Sequence, residues 1–164
     1  MSADVELYIQ VKREVKLKEI GDIDLKGAFG CAAFTLRKTA RVVSQAYDNA
    51  MRAGGLRSTQ FTILVAIYRS SPISVGQLAE LTLMSPTTMT RNLALLKSQG
   101  LVEVADRGAR REKHVRLTAE GERALARTAP LWRKAQQHFE QMYGTQSWSQ
   151  LRRELDRVAR LRGE

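Results

Sequence analysis

Five residues with hydroxyl or guanidinium side chains lie close together in the middle of the chain, on a segment with the marks of a helix start. They are Ser85, Thr87, Thr88, Thr90 and Arg91. Short hydroxyl groups can contact phosphates or the edges of bases, and an arginine can bind guanine through two parallel hydrogen bonds or clamp a phosphate. The chemistry that this group supports is the recognition of nucleic acid.

A second group of cationic side chains lies farther along, on a turn. Extended stretches at residues 101–105 and 113–117 surround Gly108, which predicts a hairpin. The arginines near its tip are Arg107, Arg110 and Arg111. Arginines presented in this way suit the narrow and strongly negative minor groove of DNA. Asp106 is placed to hold one of them through an ion pair, and the sequence leaves open which arginine enters the groove.

Helix caps predict the elements that would position both groups. Residues 74–77 have the S-x-x-Q spacing of a capping box, which opens a short helix. After a turn at residues 83–84, Ser85 as N-cap and Pro86 at the first helical position open a second short helix that ends at Gly100. Its inward-facing residues are Met89, Leu93 and Leu96. Two short helices across a tight turn form a helix-turn-helix.

Longer helices flank this region. One apolar stripe recurs at steps of three and four residues and predicts a first helix that ends near Gly54 and Gly55. Its members are Phe29, Ala33, Leu36, Ala40, Val43, Tyr47 and Ala50. We expect Ser58 to cap a second helix, Thr118 to cap a long helix that ends at Gly144, and residues 147–150 to cap the last helix. That last helix has one apolar face, formed by Trp148, Leu151, Leu155 and Val158.

The predicted fold is mainly α: a winged helix-turn-helix with a two-stranded β-wing and long N- and C-terminal dimerisation helices. The apolar stripes of the terminal helices exceed what a helix-turn-helix core covers, so a second copy of the chain is the expected partner. The expected domains are an N-terminal arm at residues 1–24, a dimerisation helix at 25–56, a DNA-binding lobe at 57–118 and C-terminal dimerisation helices at 119–164.

The charge balance narrows the class of partner. The 164 residues include 27 Lys and Arg against 17 Asp and Glu, a formal net charge of +10. A surplus of this size attracts polyanions, so double-stranded DNA is the first partner to consider and an anionic membrane the second. The longest apolar run, residues 61–68, is too short to span a bilayer. Residues 1–20 lack the apolar segment of a signal peptide, so we expect a cytoplasmic protein with no membrane partner.

The sequence offers little for catalysis. One cysteine, Cys31, and two distant histidines, His114 and His138, predict neither a disulfide nor a zinc site. No Gly-rich phosphate loop, paired His/Glu zinc motif or G-x-S-x-G elbow is present, so we expect no cofactor and no enzyme activity. We therefore expect His114, in a strand of the wing, to contact a phosphate of DNA or to have no direct role, and not to act as a catalytic base. A winged-helix module that binds only proteins is the remaining class, and the basic wing argues against it.

Three stretches resemble the MarR (multiple antibiotic resistance regulator) family of winged helix-turn-helix transcriptional regulators. They are LAELTLMSPTTMTRNL at residues 78–93, LKSQGLV at 96–102 and RREKHVRLTAEG at 110–121. The most specific part is L-T-x-x-G at residues 117–121, and the resemblance extends over residues 25–162 in helix order. It implies a triangular dimer with interlocked first and last helices, a wing arginine in the minor groove, and a regulator of transcription, most commonly a repressor. Two-fold symmetry predicts a pseudo-palindromic operator.

The chain departs from the family at the wing. The family commonly has an aspartate directly before its Arg-Arg pair, whereas Ala109 stands there and the aspartate lies earlier, at Asp106. The departure is the reason why Arg107, Arg110 and Arg111 all remain candidates for the minor groove.

The resemblance also implies a signal: a small aromatic or anionic ligand between the dimerisation helices and the DNA-binding lobe, or oxidation of a cysteine. The side chains expected to line a ligand cavity are Arg37, Tyr47, Trp132 and His138. Ordinary core or interface positions are the alternative for Tyr47 and Trp132.

The position of Cys31 argues against regulation by oxidation of this cysteine. In relatives that sense hydroperoxides, the position of the reactive cysteine near the start of the first helix corresponds to Ala33, and two residues are about 200° of helix rotation. We therefore expect Cys31 to be buried or half-buried and a ligand to release DNA. A regulator that is switched by oxidation of Cys31 is the alternative.

Overall fold

The computed structural model describes residues 27–107 and 112–161. The described residues form two compact units, with the boundary between Thr39 and Ala40. The mainly helical winged helix-turn-helix is confirmed. The elements are α1 (Ala32–Met51), α2 (Ser58–Ser70), β1 (Ile73–Ser74), α3 (Val75–Leu81), α4 (Pro86–Ser98), β2 (Val102–Arg107), β3 (Glu112–Leu117), α5 (Ala119–Tyr143) and α6 (Thr145–Arg160). None of the described helices contains an apolar stretch that is long enough to cross a membrane.

The first unit differs from the expectation in two ways. Phe29 is not on the first helix, because Gly27 with φ +83° and a 3-10 turn at Ala28–Gly30 precede α1. Cys31 is exposed, not buried, because it lies just before the helix. Its Sγ accepts the backbone N–H of Phe34 at 3.3 Å, and this contact holds the side chain at the outside of the first turn.

The core of the second unit lies between α2, the helix-turn-helix and the sheet. Ile63, Leu64 and Ile67 on α2 are fully buried. The predicted inner face of α4 is confirmed, since Met89 and Leu96 are fully buried and Leu93 is nearly so. Burial of each such side chain stabilises the fold by about 1.5 to 3 kcal/mol relative to its exposure, so these three residues fix α4 in the common core.

Local caps define the helix-turn-helix as predicted. The Oγ of Ser74 accepts the N–H of Gln77 at 3.2 Å, and Oε1 of Gln77 accepts the N–H of Ser74 at 3.1 Å, a reciprocal capping box. Ser85 caps α4 by accepting the N–H of Thr88 at 3.2 Å, with Pro86 at the first helical position. Leu83 takes a left-handed φ of 54° in the turn that joins the two helices.

The start of α2 departs from the prediction. Ser58 is not the N-cap but the first helical residue, and Arg57 occupies the cap position. The N–H of Ser58 donates to Oδ1 of Asp48 at 2.6 Å, so a carboxylate from the last turns of α1 satisfies this end of the helix. A carboxylate also interacts favourably with the positive end of the helix dipole.

The wing belongs to a three-stranded antiparallel sheet in the order β1-β3-β2. The predicted hairpin is present, with Val102 opposite Leu117 and Arg107 opposite Glu112. The predicted two-stranded wing is this hairpin, and the two residues of β1 add a third strand at its base by pairing with β3, Ile73 opposite Val115. This third strand joins the base of the wing to the start of α3.

The L-T-x-x-G segment at residues 117–121 forms the junction between wing and α5. Thr118 accepts the N–H of Gly121 at 3.0 Å, and its hydroxyl donates to the carbonyl of Gly100 at 2.6 Å. A Cβ on Gly121 would overlap the carbonyl oxygen of Leu101. A glycine is therefore required for the first turn of α5 to lie directly on the main chain of Leu101.

A second close contact joins α5 to the end of α1. Thr128 is fully buried, and its hydroxyl donates to the carbonyl of Gly54 at 3.1 Å. A Cβ on Gly54 would come within 2.9 Å of the Cα of Thr128. The turn after α1 is thus held against the middle of α5.

The last helix begins earlier than predicted. Residues 147–150 do not cap it, because Gly144, with φ +92°, ends α5 and α6 starts at once with Thr145. The N–H of Trp148 donates to the carbonyl of Gly144 at 2.9 Å, so Ser147 is already inside the helix. Trp148 packs edge to face on Phe139 of α5, with ring centroids 5.2 Å apart.

Gly121→Ala is expected to lower the free energy of unfolding by about 1 to 3 kcal/mol, because the new methyl group would overlap the carbonyl of Leu101. Urea unfolding at a fixed protein concentration measures the change. The matched control is Gly76→Ala, whose new Cβ would meet only Oγ of Ser74 at 3.9 Å, and which should be neutral or stabilise the helix by up to about 1 kcal/mol. Equal effects of the two changes would show that the junction does not require glycine.

Candidate nucleic-acid interface

The face of α4 opposite the core presents the predicted polar residues to solvent. Met89 is fully buried, whereas Arg91, two positions and about 200° farther round the helix, is exposed. The remaining predicted contacts on this segment are also exposed, namely Ser85, Thr87, Thr88 and Thr90. The predicted residues therefore share one accessible surface.

Hydrogen bonds within α4 distinguish these residues. Ser85 and Thr88 bond each other at 2.8 Å between their hydroxyl oxygens, and the hydroxyl of Thr90 donates to the carbonyl of Pro86 at 2.9 Å. Those hydroxyls stabilise the start of the helix. Thr87 and Arg91 are accordingly the side chains of this segment with the most freedom to meet another molecule.

The sequence analysis did not single out Asn92, which lies beside this surface. Its Nδ2 donates to the carbonyl of Thr88 at 2.9 Å. The side chain is half-buried at the edge of α4. Its position next to Arg91 was visible in the sequence, but the direction of its side chain depends on how α4 packs.

The wing extends from the same unit as α4. Arg107 is the last residue of β2, while Arg110 and Arg111 lie outside the described residues. Asp106 stands opposite Lys113 across the two strands. Nearer the base, Arg116 and Glu103 form an ion pair at 2.7 Å, and both side chains are more than half exposed. An exposed pair of this kind contributes about 0 to 1 kcal/mol, so its main effect is to orient the strand surface.

His114 lies within the sheet rather than at the tip of the wing. It pairs with Ser74 on one side and with Ala105 on the other. Its Nδ1 is 3.2 Å from the carbonyl oxygen of Glu112. The side chain is half-buried.

Two of the four predicted ligand residues come together. Tyr47 of α1 and Trp132 of α5 border a cleft of about 190 Å³, and Phe61 of α2 lies between them. The rings of Phe61 and Trp132 stack, with centroids 5.7 Å apart. The cleft thus has aromatic walls, and Phe61, which the sequence analysis treated as an apolar helix residue, belongs to it.

Tyr47 also forms a chain of hydrogen bonds with α5. Its hydroxyl donates to Oε1 of Gln136 at 2.6 Å, and Nε2 of Gln136 donates to Oε1 of Glu140 at 2.7 Å. Burial, and secondly the negative charge of Glu140, raise the pKa of Tyr47 above its usual value. The phenol stays protonated and keeps its role as a donor. Gln136 and Glu140 were missed because only the packing of α1 on α5 brings them to Tyr47.

The other two predicted ligand residues do not join this cleft. His138 is exposed and is not among the residues that line it. Arg37 lies in the first unit, on the part of α1 before residue 40. In the described part of the chain, no group of three or more His, Cys, Asp or Glu side chains is arranged to hold a metal ion.

Solved structures share this architecture. The M. tuberculosis transcriptional regulator MosR, solved in complex with DNA, is 37% identical to the chain. The match covers 80% of the chain and 95% of MosR, with a TM-score of 0.74. A mutant of E. coli MarR in complex with operator DNA is 19% identical, with coverage of 83% and 99% and a TM-score of 0.73. CouR from Rhodococcus jostii bound to p-coumaroyl-CoA is 21% identical, with coverage of 77% and 90% and a TM-score of 0.65. The last two likenesses concern the fold alone.

The sequence profile of the MarR family matches residues 54–112, from the turn after α1 to the first residue of β3. No curated protein sequence matches the chain. The identity with MosR extends beyond the profile, over four-fifths of the chain and nearly all of that regulator. On these similarities, and on the resemblance of its helix-turn-helix and L-T-x-x-G motifs, the chain belongs to the MarR family of transcriptional regulators.

Proposed function

We propose that the chain is a repressor that acts as a homodimer: two copies bind a pseudo-palindromic operator in double-stranded DNA, and a small molecule releases them. It acts by binding rather than by catalysis, in the cytoplasm. The observation that supports the proposal most directly is Arg91, exposed on α4 opposite the buried Met89 in a chain with a net charge of +10. MosR and E. coli MarR, which share the fold, were solved in complex with DNA.

In this proposal each part meets a different groove. The helix α4 is slim enough for the major groove, where Thr87 and Arg91 contact base edges or phosphates. One of the wing arginines enters the minor groove, where the negative potential favours guanidinium groups. The candidates are Arg107, Arg110 and Arg111. Two-fold symmetry then requires half-sites about one helical turn apart, or a multiple of it.

Exposed apolar residues near both ends of the chain support the dimer. In the first unit Phe29 is 76% exposed, and in the second Val158 is 48% exposed and Leu161 64%. Large apolar side chains exposed in this number near the termini indicate a surface that another chain covers. The proposed dimerisation helices are α1, α5 and α6.

The aromatic cleft supports a small-molecule signal. Tyr47 and Trp132 would contact a flat ring, and the phenol oxygen of Tyr47, whose proton is donated to Gln136, would accept a hydrogen bond from a polar group on it. The cleft joins α1, a proposed dimerisation helix, to α2 of the DNA-binding lobe. A ligand that binds one spacing of these helices better than another shifts the population toward that spacing. CouR, with the same fold, was solved with p-coumaroyl-CoA.

Arg91→Ala is expected to weaken binding to a duplex selected from random sequences by about 1 to 3 kcal/mol and to relax the preference at one base position. Fluorescence anisotropy with the selected duplex and single-base variants measures both effects. Lys97→Ala, which removes one charge from the exposed end of the same helix, is the matched control and should have a smaller effect. Equal losses in the two variants would mean that Arg91 acts only through its charge.

Alanine at Arg107, Arg110 or Arg111 is expected to weaken binding to all duplexes evenly, because a minor-groove or phosphate contact carries little sequence information. Plots of log Kd against log salt concentration should lose about one unit of slope for the arginine that meets the DNA. Arg123→Ala in α5, where the side chain is paired with Glu120, should keep the slope of the wild type. If no wing variant changes the slope, the wing does not contact the duplex.

Removal of residues 147–164 is expected to give an aggregated or unfolded product, because it deletes most of α6, including Trp148, which packs on Phe139. Sedimentation and circular dichroism measure the outcome. A folded monomer that binds DNA as tightly as the full chain would place the subunit interface elsewhere.

Oxidation of Cys31 is a second candidate signal, favoured by one observation: the thiol is exposed at the start of α1. Under the ligand mechanism, a near-stoichiometric organic hydroperoxide should leave wild type and Cys31→Ser equally bound to DNA. Release of the wild type alone, followed in the same titration, would replace the ligand mechanism with oxidation.

A further inference from the structure

The turn between α3 and α4 contains a residue that the fold alone does not favour. Leu83 has a φ of 54°, in the left-handed region that side chains other than glycine rarely occupy. In the described part of the chain, the other residues with positive φ are all glycine, namely Gly27, Gly55, Gly100 and Gly144. The chain thus has glycine at every other such position that the structure describes.

Hydrogen bonds show why the turn needs this conformation. The N–H of Met84 donates to the carbonyl of Ala79 at 2.9 Å, and the N–H of Leu83 donates to the carbonyl of Glu80 at 3.1 Å. These two bonds form a Schellman motif, in which the first residue beyond the helix cap has a left-handed backbone and is usually glycine. A glycine at position 83 would make the same two bonds without backbone strain.

Burial does not compensate for this strain, because the side chain of Leu83 is 57% exposed. Its two neighbours face the protein instead. The hydroxyl of Thr82 donates to the carbonyl of Leu78 at 2.8 Å, and Met84 packs against the hydrophobic core. Leu83 is therefore the outward-facing residue of the turn, and neither packing nor backbone geometry explains a leucine there.

The position of Leu83 indicates what its side chain contacts. It lies two residues before Ser85, the N-cap of α4, and next to the exposed surface that we propose for the major groove. The N-terminal residues of a recognition helix are the ones that reach base edges in helix-turn-helix proteins. The C5-methyl group of thymine protrudes into the same groove, where an apolar side chain can recognise it.

We infer that Leu83 is a specificity-determining residue, which packs on the C5-methyl group of one thymine in each half-site of the operator. The inference rests on the proposed function, because it requires α4 to enter the major groove. It adds to that function the base and the atom that are read. A leucine that destabilises the free turn is then explained by the bound state, in which the thymine covers its exposed surface.

Urea unfolding of Leu83→Gly tests whether folding needs the leucine. We expect the midpoint to equal that of the wild type, because relief of the left-handed strain offsets the greater freedom of glycine in the unfolded chain. A midpoint clearly below that of the wild type would show that the turn itself requires the leucine, and this result would remove the basis of the inference.

Recognition is measured by replacing thymine with deoxyuridine, which lacks only the C5-methyl group. A duplex is selected from random sequences with the full chain, and each thymine of one half-site is replaced in turn. For the wild type, one replacement should weaken binding about fourfold, the factor that corresponds to burial of one methyl group. The same replacement should leave the Kd of Leu83→Gly and of Leu83→Asn unchanged. Asparagine tolerates the left-handed backbone but offers no apolar surface.

Leu81→Ala is the matched control. Leu81 is 59% exposed at the end of α3, so this change removes a similar apolar surface two residues away from Leu83. This variant should keep the fourfold effect of deoxyuridine. Loss of the effect in Leu81→Ala to the same extent as in Leu83→Gly would show that Leu83 is not the residue that reads the methyl group.

The same titrations separate this inference from the proposed function. If the wild type binds the selected duplex and no deoxyuridine effect depends on residue 83, the inference is wrong and the proposed function stands. An even loss of affinity for all duplexes in Leu83→Gly, with no dependence on a methyl group, would also overturn it, since Leu83 would then contact only the DNA backbone. If the wild type binds no duplex at all, both fail.

Discussion

The first turn of α5 rests on the main chain of Leu101, and three functional elements meet at that contact. Leu101 donates its N–H to the carbonyl of Leu96 at the end of α4 and accepts the N–H of Thr118 at 3.1 Å. Gly121 allows α5 to approach the same carbonyl. Main-chain bonds therefore fix the recognition helix, the wing and the long α5 to one another. Because side-chain charge plays no part in this junction, the surfaces of α4 and the wing are free to carry basic residues.

The high positive charge is compatible with the fold because the interior contains no ionised group among the described residues. The buried polar side chains there are Gln60, Ser74 and Thr128, and each takes part in a hydrogen bond within the protein. Desolvation of a charge without a partner would cost several kcal/mol, so cations are confined to the surface. The same confinement concentrates them where a polyanion can reach them.

The aromatic cleft lies where α1 meets α2 and α5. The hydroxyl of Thr128 on the carbonyl of Gly54 holds the turn after α1 against α5, and the carboxylate of Asp48 holds the end of α1 against the start of α2. Any change in the angle of α1 must alter these contacts or be transmitted through them.

The elements whose bonds close within one turn follow from local patterns of residues. The caps at Ser74, Ser85 and Thr118 were predictable because donor and acceptor are three residues apart. The inner face of α4 followed from the spacing of Met89, Leu93 and Leu96, and the polar face followed as its opposite.

The contacts between distant segments could not be predicted in this way. The carboxylate of Asp48 accepts the N–H of Ser58 at the start of α2, β1 pairs with β3, and Gln136 accepts a hydrogen bond from Tyr47. Each of these contacts joins residues on different elements, so it depends on how the helices pack and not on a local pattern. The sequence showed a glycine at position 121, but the approach of the Leu101 carbonyl is what excludes any larger residue there.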